Sequence, residues 1–400
     1  AKTLWAYLEY QKGKELPENK GYLLGQLYVK ASKAAKEKEH LKKIMSLLMR
    51  KIESFEGEEY ELWRETREWS IEQFNKIYEE LGVSFEKTYY ESEVIKDGRA
   101  KVDELLEKGV LEESQGAIIA NLEEYGLGVL VVIKSDGSAL YPVADIPLAM
   151  KKFEDYDLDA SVIIVDIRQA LYFKQLFFLL KKLGYKKPMI HLGYDFVKLP
   201  DGMMSSRSGN VVTYEELKGV LEEKIQKETK KRHNDWSDEQ VDKVVKSLSK
   251  AVIKFEMLKV GAGQTISFDI EKALSFQGFT AAYLLYTCAR INSIIKKTAF
   301  SKEDILNINL SNDLSHDKEH ELVLKMAKYP DILKLAGQNY DPSVMAKYIF
   351  ELAQSFNDYY HSQQIIDTPE EKARLALLLS VHQVLEKGLG VLGIEAVEEM

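Results

Sequence analysis

Ser161-Val162-Ile163-Ile164-Val165-Asp166, followed by Gln169 to Leu183 and then Met189-Ile190-His191-Leu192, decides the fold. The first run is short, β-branched and apolar, as in a buried strand. The second has apolar residues at helical spacing and is closed by Gly184, a residue that readily takes a left-handed C-terminal turn. The third is again a short apolar strand. Strand, helix, strand with continuously apolar strands predicts a parallel sheet with crossover helices, which binds ligands at the carboxyl ends of its strands. Tyr141, Asp145, Gln169 and the loop from Met204 to Asn210 all lie just beyond apolar runs.

Working outward, Ala117 to Leu122 and Gly128 to Ile133 read as further strands, the second as a buried one. Ser135-Asp136-Gly137-Ser138 is a turn, and Leu140-Tyr141 continues extended. Residues 1–95 are helical in pattern. Leu23 to Phe55 reads as one long stretch with a solvated charged face, Trp63, Trp69, Phe74 and Tyr78 continue at helical spacing as core, and Gly82 ends this part. Met203-Met204-Ser205-Ser206-Arg207-Ser208-Gly209-Asn210-Val211-Val212 is too polar and small to be core, and it runs into Thr213-Tyr214-Glu215-Glu216, a capping box. A polar loop with a cation at a helix N-terminus suits a polyphosphate; an ordinary surface loop is the other reading. From residue 213 the chain is helical. Ser237 to Gln240 is a second capping box, Asp269 opens a short helix through Leu274, and Ala281 to Ile295 is strongly apolar. Asp341-Pro342 and Thr368-Pro369 each place a cap before a first-turn proline. Helices run from Ser343 to about His361 and from Glu370 to about Lys387, with Gly388, Gly390 and Gly393 breaking the last segment.

The expected fold class is therefore α/β, an incomplete Rossmann-type nucleotide fold with a parallel sheet, followed by an all-α bundle. The expected divisions are residues 1–125, 126–265 and 266–400. No apolar run approaches the roughly 18 residues that span a bilayer, so no membrane partner is expected. A single cysteine, Cys288, in an apolar helical run excludes an internal disulfide and suits a reducing cytosol. No Cys/His cluster has metal-ligand spacing. The net charge of −9 lacks the usual basic footprint of a nucleic-acid binder, although an acidic total can hide a local basic face.

Several separated motifs resemble one family. His191-Leu192-Gly193, then Asp201-Gly202 and Met204 to Asn210, resemble the second signature of class I aminoacyl-tRNA synthetases, usually Lys-Met-Ser-Lys-Ser. Met203 in the first place, with Ser206 and Arg207 in the last two, is similar to the arginyl-tRNA synthetase branch. Ser135 to Asp145 resembles that family's stretch presenting Tyr and Asp to the substrate guanidinium. Val165 to Phe173 resembles its next strand-to-helix turn, with Tyr172 where a His is common. Gln277 to Tyr286 with Arg290, Phe356 to Tyr360, and the tail through Met400 are similar to its anticodon-binding bundle.

The resemblance implies arginine activation by ATP and transfer to tRNA(Arg). ATP would be a substrate, with Mg2+ on its phosphates and no protein-bound metal. Met204, Ser205, Ser206 and Arg207 would be catalytic, joined in ATP binding by His191 and Gly193. Tyr141, Asp145 and Gln169 would hold arginine. Tyr283, Tyr286, Arg290, Tyr360 and Met400 would hold tRNA. On residues alone, Asp145 fits a guanidinium partner and a helix N-cap equally, and Tyr283, Tyr286 and Arg290, spaced i, i+3, i+7, share one helix face that could be core or RNA-binding. A cytoplasmic monomer is expected.

One departure is large. The family's first signature, typically His-Ile-Gly-His, has no counterpart among the seven histidines, and Ala1 to Trp5 resembles family sequence lying after it. The expectation is a chain equivalent to the C-terminal two-thirds of the enzyme and inactive alone. A non-catalytic tRNA-binding paralog is the alternative. An unrelated Rossmann-type protein would need a Gly-rich dinucleotide loop, which is absent from the sequence.

Overall fold

The computed structural model describes residues 1–200, 202–203, 212–306 and 314–400. Its contacts form two units. One comprises Ala1–Ser84, Val197–Gly261 and Ile266–Met400, the other Phe85–Phe196 and Ala262–Thr265.

The first unit opens with helices α1 (Lys2–Tyr10), α2 (Lys20–Glu37), α3 (Glu39–Glu53) and α4 (Glu58–Leu81). Asn19 caps α2 through the Tyr22 amide. The stretch expected as one long run is two helices, because Lys38 is extended (φ −129°, ψ 100°) and ends one while starting the other. The chain thereby turns Leu41, Met45 and Leu48 onto the same small core as Leu24, Leu27 and Trp69. Phe74, expected in the core, is 53% exposed and stacks on Tyr78. Gly82 closes α4 in the left-handed region, φ 63°.

The second unit holds α5 (Glu91–Glu107), β1 (Glu112–Ser114), β2 (Ala117–Leu122), β3 (Gly128–Ile133), α6 (Pro142–Asp155), β4 (Ser161–Asp166), α7 (Ala170–Lys182) and β5 (Met189–Tyr194). Helix α5 was not anticipated. It is started by Glu93, whose carboxylate accepts from the Tyr90 N–H at 3.3 Å. β4 and β5 pair in parallel from Ser161↔Met189 to Asp166↔Tyr194, with α7 as the crossover. β1, β2 and β3 instead form an antiparallel meander. So β3 is not the buried strand expected: Leu130 and Val132 face the core and Val129 is exposed. The β4 expectation also needs correction. Ile163 and Val165 join the core with Phe173 and Leu176, while Val162 and Ile164 are exposed on the opposite face. Tyr141 is not extended but has helical dihedrals (φ −47°, ψ −37°), and Pro142 follows it at the first helical position, where its own fixed φ suits the helix.

The first unit resumes with β6 (Val197–Leu199), β7 (Gly202–Met203), α8 (Tyr214–Arg232), α9 (Asp238–Leu258) and β8 (Ile266–Ser267). β6 runs antiparallel to β7 and parallel to β8. Both expected capping boxes form, at Thr213 with Glu216 and at Ser237 with Gln240. The helical bundle follows: α10 (Ile270–Ala273), α11 (Ala281–Lys297), α12 (Lys302–Leu306), α13 (Asp317–Ala327), α14 (Tyr329–Asn339), α15 (Pro342–Ser362) and α16 (Glu371–Val391). Its core joins Phe255 of α9 to Leu284, Ile291, Ile349, Phe356 and Leu378. Asp341 caps α15 as expected. Thr368 does not cap α16; that position is Glu370. Gly388 and Gly390 do not break α16, which ends only before Gly393, φ 67°. A Cβ on Gly388 would lie 2.3 Å from the Ile349 Cγ2, so glycine there lets α15 and α16 approach. The order of a parallel βαβ unit followed by an all-α bundle is the expected one.

Candidate functional sites

In the second unit, the candidate arginine residues surround the start of α6 and α7. Tyr141 is the N-cap of α6 and its ring is 76% exposed. Asp145 lies one turn on, its N–H bonded to the Tyr141 carbonyl at 3.0 Å. It is therefore not the helix N-cap. Its side chain is half-buried, and the Tyr172 hydroxyl donates to Oδ2 at 2.5 Å. Burial pushes the Asp145 carboxyl up; the Tyr172 hydrogen bond opposes this without cancelling it. The same burial, with the neighbouring carboxylate, pushes the Tyr172 phenol far above its ordinary value, so it stays a donor. Among the described residues nothing donates to Oδ1. A partly desolvated carboxylate with one oxygen occupied and one free is a hydrogen-bond acceptor suited to a guanidinium N–H.

Gln169 occupies the N-cap position of α7 but makes no capping bond, and its side chain is exposed. The turn before it is fixed by Asp166, which accepts from the Arg168 N–H at 2.8 Å and pairs with its guanidinium through both oxygens. Arg168 holds the Asp166 carboxyl down to about 2. On β5, His191 stacks on Phe173 with centroids 5.0 Å apart, and its Nε2 is buried without a hydrogen-bond partner among the described residues. Gly193 is needed for space: a Cβ there would sit 3.0 Å from the Ile167 Cα and 3.2 Å from the His191 Cε1. The candidate catalytic residues Met204, Ser205, Ser206 and Arg207 lie outside the described residues.

In the first unit, four of the five candidate RNA residues line one 490 Å3 groove: Tyr286, Arg290, Tyr360 and Met400. The Arg290 guanidinium carbon is 4.7 Å from the Tyr286 ring centroid and 5.3 Å from that of Tyr360. Its orientation is fixed by a hydrogen bond to the Asn357 Oδ1. The amide of Asn357 donates to the Tyr283 hydroxyl at 2.9 Å. Tyr283 is the residue set apart. Its ring packs edge-on against Phe350, 5.4 Å away, and it is not among the groove's lining residues. It supports the groove from behind through Asn357. Two further ring-bearing residues line the groove and are not expected from sequence, His233 and Trp236, whose rings stack at 3.8 Å. The available signal was an aromatic residue and a histidine directly after the basic end of α8. Tyr172, a departure from the family pattern in sequence, has its partner in Asp145.

Two family models match the chain, the first of them across both units. Residues 3–269 match the family model described as tRNA synthetases class I (R), catalytic domain, and residues 284–400 match that of the DALR anticodon binding domain. The chain is 37% identical to the arginine--tRNA ligase of Bdellovibrio bacteriovorus over 416 residues, covering 100% of this chain and 70% of the relative. It is 34% identical to arginine--tRNA ligase 2 of Bacillus anthracis over 407 residues, with 100% and 70% covered. The solved arginyl-tRNA synthetase of Thermus thermophilus superposes with a TM-score of 0.84 at 23% identity, covering 100% of this chain and 73% of that one, which supports the fold.

Proposed function

Because the chain belongs to the arginyl-tRNA synthetase family of class I, we propose that it carries the guanidinium-reading site of that reaction at Asp145 and a tRNA-loop-reading groove at Tyr286, Arg290, Tyr360 and Met400. In the reaction the arginine carboxylate attacks the α-phosphorus of ATP and pyrophosphate leaves. The tRNA terminal hydroxyl then attacks the arginyl carbonyl and AMP leaves. Adenylate formation is mainly placement and charge neutralisation at phosphorus. We assign that work to Ser205, Ser206 and Arg207 with His191 and Gly193, and Mg2+ enters with the ATP phosphates. Asp145 separates arginine from lysine because a planar fork can bond a fixed carboxylate where a single ammonium cannot match it. Tyr141 and Gln169 line the approach. The anticodon-binding role falls to residues 266–400, and we assign the protein to the cytoplasm as a monomer.

The observation that carries this reading is the half-buried Asp145 carboxylate, held at one oxygen by Tyr172 and open at the other. Titration calorimetry of the chain with arginine tests it. Asp145→Asn keeps the size and removes the charge. Hydrogen bonds to charged groups are worth about 1.5–3 kcal/mol, so affinity should fall roughly tenfold to a hundredfold. Unchanged affinity removes Asp145 from the site.

The sequence has no His-x-Gly-His, and we propose that the 400-residue chain alone does not catalyse arginine-dependent pyrophosphate exchange. The same feature favours a second reading, a tRNA-binding paralog without catalysis. Arginine binding that depends on Asp145 supports the synthetase reading; tRNA binding with no affinity for arginine supports the paralog.

A further inference from the structure

The carboxyl ends of β4 and β5 carry a side-chain cluster that neither the arginine site nor the groove uses. Asp166 ends β4, and Asp195 and Phe196 follow β5. Asp166 holds the Arg168 guanidinium through both oxygens, and the guanidinium carbon lies over the Phe196 ring, 4.3 Å from its centroid. Phe196 is held in place by its neighbour. The Asp195 N–H donates to the Ala262 carbonyl at 3.0 Å, and the Asp195 Oδ2 accepts from the Thr265 hydroxyl at 2.5 Å. All of these residues belong to the second unit.

The turn before α7 does not need this arrangement, because Asp166 already accepts from the Arg168 N–H. Nor is stability a sufficient reason. The Arg168 side chain is 67% exposed, and exposed ion pairs contribute little. What the contacts accomplish is to fix a plane. An arginine side chain has many rotamers, and here one edge is tied to Asp166 and one face rests on Phe196, so that freedom is lost before any ligand arrives. No described aromatic ring covers the other face.

The plane stands where a nucleotide is expected. Ligands of parallel sheets bind at the carboxyl ends of the strands. Asp166 pairs in register with Tyr194, and a Cβ on Gly193 would lie 3.0 Å from the Ile167 Cα, so Arg168 is one residue beyond the backbone that meets the His191–Gly193 stretch. The surrounding charge selects which part of a nucleotide fits. Asp166 and Asp195 are the carboxylates that act on Arg168, two negative charges around one positive. That balance disfavours a triphosphate and favours an uncharged base. Bases stack on guanidinium planes as they do on aromatic rings.

We propose that Arg168, held by Asp166 and Phe196, is the shelf on which the base of the nucleotide substrate stacks. This rests on the proposed reading of the chain as an ATP-using synthetase. Arg168 then contributes affinity through its plane and not through its charge.

Titration calorimetry of the whole chain with ATP and, separately, with inorganic tripolyphosphate, each with Mg2+, tests this. Arg168→Ala should weaken ATP roughly five- to a hundredfold, the range to which about 1–3 kcal/mol per stacked base converts, and should leave tripolyphosphate unchanged. Arg168→Lys keeps the charge and loses the plane, so it should lose as much ATP affinity as Arg168→Ala. Phe196→Leu should weaken ATP in the unaltered chain and add little to Arg168→Ala, because the two changes remove one interaction. Melting curves establish that each variant is folded at the temperature of titration. Full ATP affinity in Arg168→Lys, or an equal loss for ATP and tripolyphosphate, would show that Arg168 acts as a charge or as a structural support and would overturn the shelf. ATP affinity unchanged in both Arg168 variants would overturn it while leaving the ATP reading standing. If the unaltered chain binds no ATP at millimolar concentration, the ATP reading fails and the shelf with it.

Discussion

At the scale of single residues, the proposed arginine site rests on the pair Asp145 and Tyr172, joined by one hydrogen bond. Asp145 must be ionised to hold a guanidinium, and burial works against that. Its folded value is raised, so arginine affinity should rise with pH as the carboxyl loses its proton. Stability moves oppositely, falling as pH increases from the unfolded value of about 3.9 to the raised folded one, because the folded state holds the proton longer. Tyr172→Phe removes the hydrogen bond that lowers this value. The acid limb of arginine affinity, measured by calorimetry across pH, should therefore move to higher pH, with weaker binding on that limb. An unmoved limb would show that the tyrosine only packs. Asp145 was legible in the sequence because an acidic residue followed a turn at a strand end. Whether it capped a helix was not, since Pro142 and Pro147 both lie near and only the backbone shows which one opens α6. The packing of Tyr283 against α15 was not legible for a related reason: a shared helix face at i, i+3, i+7 does not say how much of that face α15 covers.

At the scale of elements, two glycine contacts and one buried charge cluster decide stability. Pro147 inside α6 cannot donate to the Val143 carbonyl. Gly98 of α5 fills that place so closely that a Cβ would lie 2.0 Å from the Val143 oxygen. Gly98→Ala must push the helices apart, and overpacking of this kind costs about 1–3 kcal/mol. The melting temperature should fall; an unchanged one contradicts the packing described. In α16, Gly388→Ala meets Ile349 and should destabilise, whereas Gly390→Ala meets nothing within 4 Å and should gain up to about 1 kcal/mol of helix propensity. Parallel melting curves of the two variants separate the contacts from the propensity. Both glycines look like breaks in the sequence, because a glycine that ends a helix and one that admits a neighbour are alike without the neighbour.

The cluster is Glu319 on α13, fully buried, accepting from the Tyr359 hydroxyl at 2.9 Å and the Arg374 Nε at 3.1 Å, while its carboxylate also caps the His316 N–H at 3.0 Å. Burial pushes this carboxyl up, but the three donors outweigh it and hold it below its ordinary value. Its contribution is thus present above the unfolded value and lost as pH falls through the folded one. Arg374→Met leaves a buried carboxylate without its cation and should cost about 3–5 kcal/mol near neutral pH, with a smaller loss in acid. Denaturant unfolding at two pH values checks this; an equal loss at both would mean that Arg374 contributes packing alone. The helices of this cluster were legible from their periodicity and caps. The cluster was not, because its members are 40 and 55 residues apart in sequence.

At the scale of the whole molecule, the parallel βαβ unit and the helical bundle were both readable, since long apolar periods and paired caps are local signals. The antiparallel meander was not, because a short β-branched run looks the same in either sheet. The net charge of −9 argued mildly against RNA. The arrangement supports the opposite reading, through a few cations fixed on aromatic rings instead of a broad basic face. One such cation, Arg290, should contribute a slope of about 0.7–0.9 in log K against log salt, which Arg290→Ala would remove.

On the proposed function, this chain reads the loop of an arginine tRNA. The direct measurement is the affinity of the 400-residue chain for arginine tRNA, by filter binding at one fixed salt, against the same tRNA with its anticodon loop bases exchanged. Each mismatched position costs about 1–3 kcal/mol in specific recognition, so the exchanged tRNA should bind at least tenfold more weakly, and Tyr286→Ala should bring the two affinities together. Equal affinities of the unaltered chain for both tRNAs would mean that it does not read the loop.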